Sequence, residues 1–189
     1  MCTHYPLLLT KYSNIYYNIH AVFGKMITLT SNNNFFDGLK RAIDDEGKFF
    51  HVHPDGTPAY EERYDYVENF HEGLACVMQN EEHFHILPDG KPAYKEKYGW
   101  ITSFREGFAK VTTKEGKEFH IHPDGTPAYE ERYDYVENFH EEIALAIKDG
   151  EWMVIRKDGC IEGHVIKFLD EKVLYRDTEG NVHERVRQD

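Results

Sequence analysis

The sequence predicts an all-β fold, a tandem array of about four hairpin repeats of 34–35 residues, open in preference to a closed propeller-like ring. Three observations carry this. The stretch Phe50 to Glu72 returns at Phe119 to Glu141 with only Val52 exchanged for Ile121. A diverged third copy lies between them, from Phe84 to Glu106, and sets the unit at about half the spacing of the near-identical pair. Within each unit, alternating apolar residues lead into a ProAspGly turn. Recent duplication of two units together accounts for the near-identity, which reaches surface positions that folding does not dictate. Function holding two copies alike is the alternative, and one sequence does not separate them.

The elements follow in order. Residues 1–35 form an N-terminal extension that shares nothing with the repeat, and Met26 is a candidate natural start with the preceding codons as upstream sequence. The competing reading is a short N-terminal cap. From Phe36 the repeat phase is already visible, because the stretch Phe35 to Gly56 aligns without a gap on Phe104 to Gly125. Residues 36–159 are therefore the array. In each unit a segment such as Leu74 to Met78 or Phe108 to Val111 reads as a strand, and a polar turn leads to a second, Phe84 to Leu87 or Phe119 to His122. Phe50 with Val52, Phe84 with Ile86, and Phe119 with Ile121 share one face, the period of two expected of a half-buried strand. Pro54, Asp55 and Gly56 then close the strand, as do Pro88 to Gly90 and Pro123 to Gly125, because Pro fixes φ and Gly admits positive φ. The return segment that follows has apolar residues at Tyr60, Tyr64, Val67 and Phe70, a spacing that suits one or two helical turns as well as an irregular strand. After Gly159 the pattern is left behind. Residues 160–189 read as a capping hairpin, His164 to Leu169 with Lys172 to Arg176, and a solvated tail from Asp177 onward.

Bulk properties exclude some functions. Lys plus Arg is 22 against 34 for Asp plus Glu, a net charge of −12 that repels phosphate backbones and anionic membranes, so neither nucleic acid nor membrane is expected as a partner. Cys2, Cys76 and Cys160 share no place in the repeat and show no disulfide or zinc spacing. With no signal peptide or spanning segment in view, the expected location is the cytoplasm.

Gly150 to Gly159 reads GlyGluTrpMetValIleArgLysAspGly, and Gly116 to Gly125 has its glycines and Ile121 at the same spacing. With Tyr64 and Asp65, Tyr133 and Asp134, and the PheHisGluGlyLeuAla of Phe70 to Ala75, this resembles the bacterial WG-repeat family, also called KWG, over roughly Phe36 to Gly159. The family Trp survives as Trp152; Phe49, His83 and Glu118 take its place elsewhere. Glu142 stands where Gly38, Gly73 and Gly107 stand in the other units. The resemblance implies a β-rich scaffold assumed to serve in interactions, with no catalytic residues to transfer.

The candidate chemistry is sparse. His51 with His53, and His120 with His122, are spaced to chelate zinc or nickel, and a metal-binding protein or metal-dependent enzyme built on them is the alternative class. The second His of the pair is Leu87 in the middle unit, so the expectation is a solvated outer face and no metal or other cofactor. The carboxylates Glu61, Glu62, Asp65 and Glu72, with their counterparts Glu130, Glu131, Asp134 and Glu141, recur with the repeat, which structure explains more cheaply than a single active site. Arg63 and Arg132 beside them read as members of local ion pairs, and Cys76 as a small core residue. No phosphate loop, HisGluXaaXaaHis pair or nucleophile elbow is present, so no enzyme and no catalytic residue is expected. Tyr66, Trp100 and Tyr135 hold one equivalent position in successive units. Turned inward they are core, the arrangement that repeat packing favours. Turned outward they are a ladder for a protein partner or, alternatively, for the sugar rings of a carbohydrate or cell-envelope ligand. The expected function is a non-enzymatic scaffold that binds a protein.

Overall fold

The computed structural model describes residues 19–22, 25–29 and 35–186, and within them the chain forms strands and turns with no helix. Four short antiparallel sheets follow one another along the sequence, each with its strands in chain order. The first holds β1 (Ile19–Val22), β2 (Lys25–Leu29), β3 (Lys40–Ile43) and β4 (Phe49–Val52). The second holds β5 (Tyr66–Val67), β6 (Ala75–Gln79) and β7 (Glu82–Ile86), and the third β8 (Trp100–Ile101), β9 (Ala109–Thr112) and β10 (Glu118–Ile121). The fourth runs through β11 (Tyr135–Val136), β12 (Ile143–Lys148), β13 (Glu151–Arg156), β14 (Ile161–Phe168), β15 (Lys172–Asp177) and β16 (Val182–Val186). Among the described residues no ladder of hydrogen bonds closes them into a barrel or propeller.

Turn chemistry sets the registers. Between β6 and β7, Asn80 and Glu81 both take positive φ, and between β12 and β13 so do Asp149 and Gly150, the backbone that a two-residue hairpin loop requires. Asp65 holds the first of these loops by accepting from the Asn80 amide, and Asp134 holds the second through Asp149. The predicted repeat hairpins are present within a residue or two of their expected limits, whereas the first strand of the expected capping hairpin starts at Ile161, three residues before His164.

The return segment is not helical. It runs back along the free edge of the last strand of each of the first three sheets, β4, β7 and β10, with paired backbone bonds between Phe49 and Tyr64, His83 and Tyr98, and Glu118 and Tyr133. Its last residues become the first strand of the next sheet. β4, β7 and β10 are thus flanked on both sides, and one cluster of buried side chains, including Phe50, Tyr64, Phe84, Tyr98, Phe119 and Tyr133, runs through all four sheets.

Beyond β13 the chain adds three more strands to the fourth sheet. Leu145, Val154, Val173 and Tyr175 form a second apolar cluster there. The stretch from Asp177, expected to be a solvated tail, is drawn into β16, whose register with β15 runs from Lys172 opposite Val186 to Arg176 opposite Val182. Its side chains are mostly exposed, which is why polarity alone pointed to a tail. Of Met1 to Lys25, only Ile19–Val22 and Lys25 are described, in β1 and at the start of β2; the question of the natural start, and Cys2, lie outside the described residues.

Candidate functional site

The histidines come first, because the structure overturns their expected placement. His51, His85 and His120 are 0, 0 and 1% exposed, although they point away from the Phe and Val or Ile face of their strands. An isolated sheet would leave that face wet. Here the residues after the next sheet's first strand fold over it. The ring of His51 packs 4.6 Å from Phe70, that of His85 4.5 Å from Phe104, and that of His120 4.1 Å from Phe139.

Each buried ring is fully bonded. Nε2 of His51 lies 2.9 Å from the Glu68 carbonyl, that of His85 3.0 Å from Thr102 and that of His120 3.0 Å from Glu137. A carbonyl only accepts, so Nε2 carries the proton and Nδ1 is the acceptor. Tyr60, Tyr94 and Tyr129 donate to it at 2.5, 2.5 and 2.7 Å. Burial holds His51 and His85 down to about 4 and His120 to about 3, so all three are neutral at pH 7, while burial raises the three phenols. Each histidine joins the last strand of one sheet (β4, β7 or β10) to the chain of the next. His53 and His122 lie beyond the strands and are not buried, so the HxH pairs are split between core and surface. Among the described residues no group of three His, Cys, Asp or Glu side chains is placed to hold a metal ion.

The recurring carboxylates also act between units. Glu72 accepts from the amides of Glu106 and Gly107 at 2.8 and 2.9 Å, Asp37 from Gly73 at 3.1 Å, and Glu106 from Glu141 at 3.2 Å. Where Glu142 replaces glycine it does not take the positive φ of Gly38, Gly73 and Gly107. The turn is remodelled there: the Ile143 amide reaches the His140 carbonyl at 3.4 Å, and Lys157 donates its own amide to Glu142.

Arg63 and Arg132 do not pair with the acids beside them. Each lies flat over a core ring, Arg63 at 3.8 Å from Phe50 and Arg132 at 3.7 Å from Phe119, and donates to the carbonyls of the three preceding residues. Arg63 reaches Asp44 instead, at 3.3 Å. Cys76 is buried, its thiol pushed up to about 12 by desolvation. A shallow cleft of about 490 Å³ between Tyr98, Phe119 and Pro127 has Arg132 in its wall, with that guanidinium already engaged as above.

Tyr66, Trp100 and Tyr135 face outward, at 39, 54 and 37% exposure, not into the core as repeat packing would favour. Cross-strand register shows what stands beside them. Tyr66 lies opposite Met78 and Met78 opposite His83; Trp100 lies opposite Thr112 and Thr112 opposite Glu118; Tyr135 lies opposite Ile147 and Ile147 opposite Trp152. Residues directly opposite on paired strands share a face. The rows also meet between sheets, since Phe49 is 5.3 Å from Tyr66 and His83 is 5.1 Å from Trp100, and within the fourth sheet Trp152 is 4.9 Å from Phe168. At the third junction Glu118 accepts from the Val136 amide and Lys110 sits over Tyr135. The result is a belt of half-exposed side chains across the sheets, apolar at both ends and polar at Thr112 and Glu118. The slot of the family Trp, occupied by Phe49, His83, Glu118 and Trp152, is part of it. Sequence reasoning singled out the three aromatics, favouring an inward turn, and did not find the belt, whose signal lies in the pairing registers.

Residues 52–82 and 121–152 match the family described as WG containing repeat. The chain is a β-rich repeat protein that carries WG-type units over part of its length. No curated protein matches it. Among solved structures it is similar to BamB from Moraxella catarrhalis, at 11% identity over 94% of this chain and 73% of that one, with a TM-score of 0.47. It is also similar to Hsv2 with loop 6CD replaced by a Gly-Ser linker, at 12% identity over 85% and 60% of the two chains and a TM-score of 0.45. The WD40 β-propeller domain of Doa1 gives 12% identity, 87% and 76% coverage and a TM-score of 0.38.

Proposed function

We propose that this chain, with its WG-type units, is a non-enzymatic scaffold that binds another protein along the belt centred on Tyr66, Trp100 and Tyr135. In this reading residues 36–159 are an open array of about four hairpin units of 34–35 residues, and 160–189 cap its end. The observation that carries the reading is the outward placement of an aromatic at one equivalent position in three successive sheets, with Trp100 the most exposed at 54%. Tyr and Trp present large contact areas at low entropic cost and dominate the centres of protein interfaces. The polar break at Thr112 and Glu118 gives the belt a register that a purely apolar strip would lack. The net charge of −12 favours a partner that is not itself strongly acidic.

The test is a pull-down comparing the wild type with Tyr66→Ala/Trp100→Ala/Tyr135→Ala, alongside thermal unfolding of both. A specific protein retained by the wild type and lost from an equally folded variant is the expected result. Equal retention would refute the belt as the binding surface. Loss of retention on a polysaccharide matrix, with no protein affected, would assign it to sugar rings instead.

A further inference from the structure

The three histidine joints have a property that does not depend on what the belt binds. They are equivalent contacts in one chain, each with a buried base at its centre, and the fourth sheet has no such base. At the position of His51, His85 and His120 it carries Val154, and at the position of their strand partners Arg41, Cys76 and Lys110 it carries Leu145. Val154 and Leu145 pack with Val173 and Tyr175 from β15, which continues the same sheet. The polar joint is therefore used wherever another sheet follows and replaced by an apolar contact where the array ends.

We propose that the three joints are acid-opened hinges, at which the sheets part from one another on acidification while the fourth sheet and its C-terminal strands stay assembled.

The chemistry follows from the bonding. A neutral ring with Nε2–H donating to a carbonyl and Nδ1 accepting from a phenol satisfies both partners. Protonation adds a second N–H at Nδ1, so the tyrosine must turn its hydroxyl to accept, and a full charge is left in a dry site. Among the described residues no carboxylate forms a hydrogen bond or ion pair with any of the three rings. His51 faces Arg41 from β3, Tyr60 from the return segment and the Glu68 carbonyl from the next unit. The Glu68 carboxylate turns away to accept from Ser103. His120 faces Lys110 from β9, with Tyr129 and the Glu137 carbonyl on its other sides, and Lys110 pairs with Glu118. His85 faces the neutral Cys76 thiol at 3.4 Å, Tyr94 and the Thr102 carbonyl, and the Glu68 carboxylate stands behind that thiol, bonded to it and to Ser103. The cations opposite His51 and His120 push further against protonation in the closed state, as the lowered values of those groups agree.

The sign is fixed by linkage. The folded values lie below the usual 6.5, so the closed joint is at full strength above that pH and weakens as pH falls. One proton per joint lowers each closed-to-open ratio about tenfold per pH unit until the folded value is reached. Because the belt crosses the same joints, opening would also release a partner held across them; that consequence rests on the proposed function, whereas the opening does not.

Hydrogen exchange of the whole chain, followed by mass spectrometry from pH 7 to pH 4 and corrected for intrinsic rates, is the test. Amides that bond across the joints, at Phe49, Tyr64, His83, Tyr98, Glu118 and Tyr133, are expected to lose protection while those of β12 to β15 keep it. Loss of both sets together would reduce the effect to ordinary acid denaturation and overturn the proposal. So would full protection of both at pH 4. A His51→Gln/His85→Gln/His120→Gln variant that folds is expected to keep its joints over this range, and its opening at the same pH as the wild type would refute the assignment to histidine. Should it fail to fold, the wild-type exchange pattern decides.

Discussion

Gly125→Ala, set beside Gly116→Ala, isolates the packing of one unit upon the next. Both glycines have φ of +83°, so the cost of forcing an L residue into the left-handed region, about 1–2 kcal/mol, is common to the two. What differs is the space. A Cβ at Gly116 meets nothing within 4 Å. At Gly125 it would lie 2.5 Å from Cγ, 2.6 Å from Cβ and 3.0 Å from Cδ1 of Tyr94, a residue of the preceding unit. These atoms sit next to the backbone, and the far end of the ring is held by the bond to His85 Nδ1, so Tyr94 has no easy retreat. Overpacking of this kind costs about 1–3 kcal/mol. Gly125→Ala should therefore lose that much more stability than Gly116→Ala, which for a chain of this size is roughly 2–4 °C of melting temperature per kcal/mol. Urea unfolding gives the comparison directly, with equal slopes showing that the denatured states match. Equal midpoints for the two variants would refute the idea that the ProAspGly turn is a docking surface for the preceding tyrosine.

Other outcomes follow from the same geometry. Glu72→Ala removes the acceptor for two amides of the next unit and should cost about 1 kcal/mol in urea unfolding, whereas Glu141→Ala should stay within about 0.5 kcal/mol. Arg132→Ala should destabilise by about 1–2 kcal/mol through the lost ring stacking and carbonyl bonds, with Arg132→Lys recovering part of it, since Lys97 over Phe84 at 5.1 Å fills the equivalent place in the middle unit. Of the two described cysteines, Cys160 should react with a thiol reagent in the folded protein and Cys76 only on unfolding, because Cys76 is buried with its thiol raised to about 12. Peptide mass mapping distinguishes them; prompt modification of Cys76 would contradict the packing.

Much of the fold was legible in the chain. The alternation of Phe50 with Val52, and of Phe119 with Ile121, locates strands because a pleated strand has no other way to bury such residues. The ProAspGly turns are where Gly56, Gly90 and Gly125 take positive φ. What the period of two could not reveal is whether the second face is wet, because that depends on what the next unit lays over it. His51 was misplaced for this reason. A signal existed in the spacing: His51, His85 and His120 are each followed by a tyrosine nine residues on, at Tyr60, Tyr94 and Tyr129, and by Phe70, Phe104 and Phe139 further along. A polar residue accompanied in phase by its own aromatic partners reads as a satisfied core group. The outward turn of Tyr66 was undecidable from sequence, since a two-residue strand has no pattern of its own and takes its register from the neighbour, Met78 opposite Tyr66 and Val77 opposite Val67.

The middle unit says which features the architecture requires. Compared with its neighbours on either side it has lost the aspartate of Asp65 and Asp134 to Gly99, the arginine of Arg63 and Arg132 to Lys97, and the glutamate of Glu68 and Glu137 to Thr102. Each loss is tolerable for a stated reason. Gly99 still donates its amide to Thr112, Lys97 still lies over Phe84, and Thr102 supplies His85 with the backbone carbonyl, which any residue has. The residues retained include His85, Gly90, Tyr94, Tyr98, Phe104 and Glu106, and every one of them touches an adjacent unit or completes a histidine joint. Divergence has spared the buried joints and the tyrosine docking, while exposed contacts between hairpins, such as Lys48 with Asp65 and Lys117 with Asp134, have no counterpart at Gly99. The near-identity of the outer pair, Phe50 to Glu72 and Phe119 to Glu141, therefore exceeds what the joints demand, since the middle unit keeps the joints with far less. Directly outside those identical stretches the belt changes, with Phe49 in one unit and Glu118 in the other. A shared ligand for the two copies would hold that position alike; recent duplication would not, and the exchange at the slot beside Tyr66 and Tyr135 favours duplication followed by separate adjustment of the exposed face.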